Sequence, residues 1–127
     1  MRKLLEGVRL SQPTPDLFDQ KAEQIARLLD RFRDGNRSSQ LRMFYDQILR
    51  HCDRHRGAGT DAAARFAADL PFIRMLSARA AYARTRGTVD ANFVVFLQTL
   101  IRQVESPQHL EMLRTLFEAV IGFLPKK

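Results

Sequence analysis

Apolar side chains return every three or four residues along almost the whole chain, and no stretch alternates apolar and polar as a strand would. That period gathers them on one stripe of a helix, and such a stripe has to be buried against another element. The pattern predicts an all-α fold, a compact bundle of five or six helices with short connections. The 127 residues are enough for one domain and too few for two. A single helical domain is therefore expected over 16–125, with residues 1–15 as a poorly ordered arm.

Turn residues divide the pattern. After Pro13 and Pro15, Asp16 is placed to cap a first helix running to about Asp34, with Phe18, Ala22, Ile25, Leu29 and Phe32 on its apolar stripe. Asp34-Gly35-Asn36 stops it. A second helix, from Ser38 or Ser39 to about Arg56, carries Leu41, Phe44, Tyr45, Ile48 and Cys52. Gly57-Ala58-Gly59 breaks the chain before a third segment, Ala62 to Arg86. Pro71 lacks an N–H and crowds the preceding turn, so a break or kink is expected near Asp69-Leu70. Gly87 closes this segment. A fourth helix, from about Val89 to Val104, is apolar on nearly all sides through Phe93–Leu97 and should be deeply buried. Ser106 caps the last helix and Pro107 opens it; Leu110, Leu113, Phe117, Val120, Ile121 and Leu124 form its core stripe.

Few side chains are spaced for chemistry. No Walker loop, dinucleotide-binding glycine run or paired-carboxylate nuclease site is present, so catalysis is not expected. His51 and His55 lie four apart and share a helix face, which could hold a metal. A third ligand is wanting, however: His109 is the only other histidine, and Cys52 falls on the apolar stripe. Arg42, Arg50, Arg54 and Arg56 also crowd the pair with positive charge, so neither metal nor cofactor is expected. The single cysteine cannot form an internal disulfide and reads as a buried, inert thiol in a reducing compartment. No stretch approaches the ~18 apolar residues of a membrane span. The first fifteen residues hold only a two-residue apolar run, so no secretory leader is expected and the location should be cytoplasmic.

Charge is more informative. The net is +7, and Arg37 to Arg86 holds ten arginines against four aspartates, so +6 of it lies there. A polyanion is the implied partner, although arginines that merely solvate helices would give the same composition. At ~100° per residue, Arg79, Tyr82 and Arg86 share one face. Two guanidiniums two turns apart, about 10 Å, suit successive phosphates, each taken by a planar fork of donors. Arg74, Arg79, Arg84 and Arg86 have no acid among them, so intrahelical pairing cannot neutralise them. Tyr82 reads as a half-buried core residue, because a base-stacking tyrosine usually has a second aromatic beside it. Arg37 and Arg42 flank the start of the second helix, where free N–H groups attract anions; Ser38 and Ser39 there read first as caps.

These two clusters carry a family resemblance. Ser38-Ser39-Gln40-Leu41-Arg42-Met43-Phe44-Tyr45-Asp46 resembles the T/S-S-Q-L/I-R-K-F-Y motif of the small subunit of type III-A CRISPR effector complexes. Leu70-Pro71-Phe72-Ile73-Arg74-Met75-Leu76 is similar to that family's L-x-x-L/I-K stretch, and Arg79-Ala80-Ala81-Tyr82-Ala83-Arg84-Thr85-Arg86 to its K-L-A-Y-A-x-x-R. The likeness spans about residues 37–124. Met43 stands where lysine is common, which removes one phosphate contact, and Arg79 stands where lysine is usual. The resemblance implies a non-catalytic subunit present in several copies, stacked on one another and on the repeated backbone subunits. The large polymerase-like subunit and the backbone subunits would do the chemistry. It further implies that Arg42, Arg79 and Arg86 contact guide or target RNA through its backbone, without reading sequence. Arg37, Arg74 and Arg84 are nominated from charge and position alone. Two other readings remain open from the residues: a stand-alone helical nucleic-acid-binding regulator, and a helical protein–protein adaptor whose arginines serve solubility.

Overall fold

The computed structural model describes residues 1–32, 34–57 and 59–125. Among these there is no strand. A short α1 (Arg2–Leu5) precedes six longer helices: α2 (Ala22–Leu29), α3 (Ser38–His55), α4 (Ala62–Arg74), α5 (Leu76–Thr85), α6 (Ala91–Ile101) and α7 (Pro107–Phe123). The all-α bundle is as the apolar period requires. Helix α7 packs along both α2 and α3, and α6 lies against α5, while α4 leans on the outside of α3. The predicted stripe of α3 (Leu41, Phe44, Tyr45, Ile48, Cys52) is buried in full. At the centre, the Phe93 ring lies 5.2 Å from Phe44 and 6.0 Å from Phe117, and Phe96 meets Phe117 edge-on at 5.6 Å. Offset and edge contacts of this kind let four large rings fill one space without voids.

Two helices start from side-chain caps, and the second of these is the one expected from the sequence. The Asp90 carboxylate accepts from the Phe93 N–H at 3.0 Å to start α6, and the Ser106 hydroxyl accepts from the His109 N–H to start α7, with Pro107 at the first helical position. Gly87, with φ +78°, ends α5: its N–H donates to the Arg84 carbonyl, and the Thr88 N–H donates to that of Ala83.

Three local expectations fail, each for a visible reason. Asp16 stands at the N-cap position of a π-helical turn (Leu17–Lys21) that leads into α2, but its carboxylate takes the Thr14 hydroxyl at 2.6 Å and caps no helix N–H. Helix α2 ends at Leu29 rather than near Asp34, so Phe32 lies past it, 56% exposed, with the Arg31 guanidinium over its ring. The stop is set by buried Asn36, whose amide donates to the Leu29 carbonyl while its oxygen accepts from the Asp90 N–H. That residue ties the end of α2 to the start of α6. The chain is interrupted at Met75 rather than at Asp69-Leu70, and Pro71 sits inside α4. Pro71 and Ala67 are both exposed, so the carbonyl that the missing N–H would have met faces water. Within residues 1–15, Leu5, Val8 and Leu10 are buried against the bundle. The Gln103 side chain donates to the Val8 carbonyl and accepts from the Leu10 N–H.

Candidate nucleic-acid interface

Because α4 and α5 meet α3 only along one side, a trough is left between them. It consists of two connected grooves of about 670 and about 500 Å³ that share Gln47 and Arg79. Helix α3 supplies one wall with Met43, Gln47, Arg50 and Arg54; α4 and α5 supply the other with Arg65, Phe72, Met75, Arg79, Tyr82 and Arg86. The second wall is one stripe. Residues 65, 72, 79 and 86 recur every seven positions, as do 68, 75 and 82, and two helical turns return each to the same face. The stripe survives the interruption because the Met75 N–H still donates to the Pro71 carbonyl and the Arg79 N–H to that of Met75.

The trough is strongly positive. Among the described residues, no hydrogen bond or ion pair holds the side chains of Arg50, Arg65 or Arg79. Asp69 is the one acid among the lining residues, and it is already engaged. Its Oδ2 accepts from His51 Nδ1 at 2.8 Å and His55 Nε2 at 2.7 Å, and its Oδ1 from Arg54 at 3.1 Å. Burial pushes the Asp69 carboxyl up, but hydrogen bonds from His55 and His51, with the charges of His51 and Arg54, outweigh it and hold the group below its ordinary value. The four-residue spacing does place both histidines on one face, as their positions require. They close on a carboxylate from α4, and His55 stacks edge-on against Phe66 at 5.0 Å, so the pair staples α3 to α4. Among the described residues no cluster of three or more histidine, cysteine or acidic side chains is arranged to hold a metal. Cys52 is buried, and burial first, with Glu111 nearby, pushes its thiol up to about 12; it is a core residue.

The nominated arginines separate. Arg79 and Arg86 line the trough. Arg37 stands at its end, where its N–H donates to the carbonyl of Thr88, a lining residue. Arg42 and Arg84 are exposed but do not line it. Arg74 is spent on the fold: its guanidinium donates to the Val104 carbonyl at 2.9 Å, just past the end of α6. Sequence reasoning missed Arg50, Arg54, Arg65 and Phe72 as members of this surface. The seven-residue recurrence 65-72-79-86 would have found two of them. Tyr82 was expected to be half-buried; it is 63% exposed, with the Arg86 guanidinium 5.8 Å from its ring and bonded to its hydroxyl.

A positive trough of this length, with donors standing free in it, can receive a strand of phosphates. No curated protein and no solved structure matches this sequence. Residues 12–124 match the family model described as Csm2 Type III-A, which covers both basic clusters and every helix from α2 onward. The chain therefore belongs to the Csm2 Type III-A family and is a small subunit of the type III-A CRISPR effector complex.

Proposed function

We propose that this subunit holds the sugar–phosphate backbone of guide or target RNA in the trough between α3 and α4–α5, without reading its sequence. The carrying observation is that five arginines (50, 54, 65, 79 and 86) line a trough whose only acid, Asp69, is already bonded to two histidines and Arg54. Uncompensated guanidiniums attract polyanions over a Debye length and grip phosphate by paired donors at contact. Arg79 and Arg86 make the central contacts, and Arg37 extends the path at the Thr88 end. Arg42 and Arg84 meet the strand only where it leaves the trough. Copies of the chain stack beside one another along the RNA and dock on the repeated backbone subunits and the large polymerase-like subunit. The protein itself performs no reaction and needs no cofactor. It works in the cytoplasm; no described helix is long and apolar enough to cross a membrane.

The test is RNA binding by the full chain as salt is raised, using two unrelated sequences of equal length. Affinity should fall steeply with salt and hardly differ between sequences, because counterion release follows phosphates rather than bases. A flat salt response would refute this reading.

A further inference from the structure

Two large aromatic side chains stand in the open on the arginine stripe. Phe72 is 64% exposed and Tyr82 is 63% exposed. Burying a phenylalanine ring is among the larger apolar gains open to a fold, so a bundle with five buried phenylalanines has not used this one for packing. The ring belongs to the same face as Arg65, Arg79 and Arg86, with Met75 half a face away, and all five line the trough. Over ten residues of helix the two aromatics lie roughly 15 Å apart along the axis. The Arg86 guanidinium covers one face of Tyr82; no ring or cation of the described residues covers Phe72.

We propose that Phe72 and Tyr82 are stacking platforms for unpaired bases, so that the trough takes RNA segments whose bases are turned out of a helix. The proposal rests on the backbone-binding reading above and adds to it what the trough does with the bases. The occupant follows from charge. An apolar partner helix would bury unpaired guanidiniums beside the rings at high cost, whereas a nucleotide brings a phosphate for each arginine and a π-face for each ring. Stacking is indifferent to base identity, which agrees with a surface that does not read sequence.

The experiment uses the full chain with a single-stranded RNA of about twelve nucleotides and a matched strand in which the same phosphates carry abasic sites. The base-bearing strand should bind roughly tenfold tighter. F72L keeps an apolar side chain of similar size but has no π-face; it should lose most of that preference, and F72Y should keep it. A 2-aminopurine in the base-bearing strand should be quenched by the wild type and less so by F72L. Equal affinity of the wild type for the two strands overturns stacking while leaving backbone binding in place. Failure to bind either strand refutes both readings. Unchanged RNA binding by F72L, with lost self-association in sedimentation, would assign the ring to a contact between copies and overturn the proposal.

Discussion

His55 Nε2 lies 2.7 Å from Asp69 Oδ2, and this contact, with that of His51 on the same oxygen, is what fixes α4 against α3. Helix α4 has few other means of attachment: of its side chains only Phe66, Asp69 and Ile73 are buried. The wall carrying Arg65 and Phe72 is therefore positioned by a polar staple rather than by a broad apolar stripe.

Asp69→Asn should cost about 2 kcal/mol in urea unfolding, since a buried carboxylate that answers three donors is replaced by an amide that can answer fewer. The pH dependence has a definite sign. The folded Asp69 sits below its ordinary value of 3.8, so its contribution is complete above that value and is lost as the pH falls through the folded value. Acid unfolding of the wild type should steepen below about pH 4, and D69N should lack that component. Parallel acid curves for the two proteins would show that the staple contributes nothing.

The bundle was legible in the sequence because burial of apolar side chains dominates folding: the stripes of α3 and α7 are clean, and α6 is apolar on nearly all sides. Those of α4 and α5 are not. Their apolar residues divide between a core side (Phe66, Ile73, Leu76) and an outer side (Phe72, Met75, Tyr82), which blurs any reading by amphipathic contrast. Tyr82 reads inward from the sequence because no second aromatic stands beside it as a stacking partner, yet its ring is 63% exposed. Arg79 and Arg86 could be placed on one face from the sequence because their helical spacing and the lack of nearby acids are local properties, and both line the trough. Arg50 and Arg54 were missed because proximity across helices decides their role, and α3 read alone offers Asp46 and Asp53 as neighbours. Asn36, a residue that looks like a helix stop, proved to be a tie between α2 and α6, which no local pattern encodes.

Arg74 and the pair Arg79 and Arg86 should behave oppositely. R79A/R86A should leave helical circular dichroism and thermal unfolding unchanged, weaken RNA binding, and lower the slope of log affinity against log salt by about 1.4, two phosphates' worth for a single strand. R74A leaves the Val104 carbonyl without its donor and should cost about 1 kcal/mol in stability, with a smaller effect on RNA. Destabilisation by R79A/R86A would mean that the trough arginines are structural.

Cys52 should resist thiol reagents in the native protein. Its thiol is buried and pushed up to about 12, so almost no thiolate forms at pH 8. Labelling by a disulfide reagent should be negligible without denaturant and complete in its presence, at a rate that follows unfolding. The sign for stability is the reverse of that for Asp69. The folded protein holds this proton more tightly than the unfolded chain, so stability should decline as pH rises above about 9, the thiol's ordinary value.

Asn36→Ala should separate α2 from α6. Two hydrogen bonds are lost at once, and the Leu29 carbonyl and Asp90 N–H they satisfied are left inside the bundle, which should cost roughly 3 kcal/mol. The loss belongs to the fold and not to the trough, because neither Asn36 nor its partners line it. At a temperature where N36A remains folded, its RNA affinity should equal that of the wild type. Reduced affinity in the folded variant would show that the α2–α6 junction governs the shape of the trough, and the path of the strand would then have to be drawn over Arg37 and the start of α3 instead.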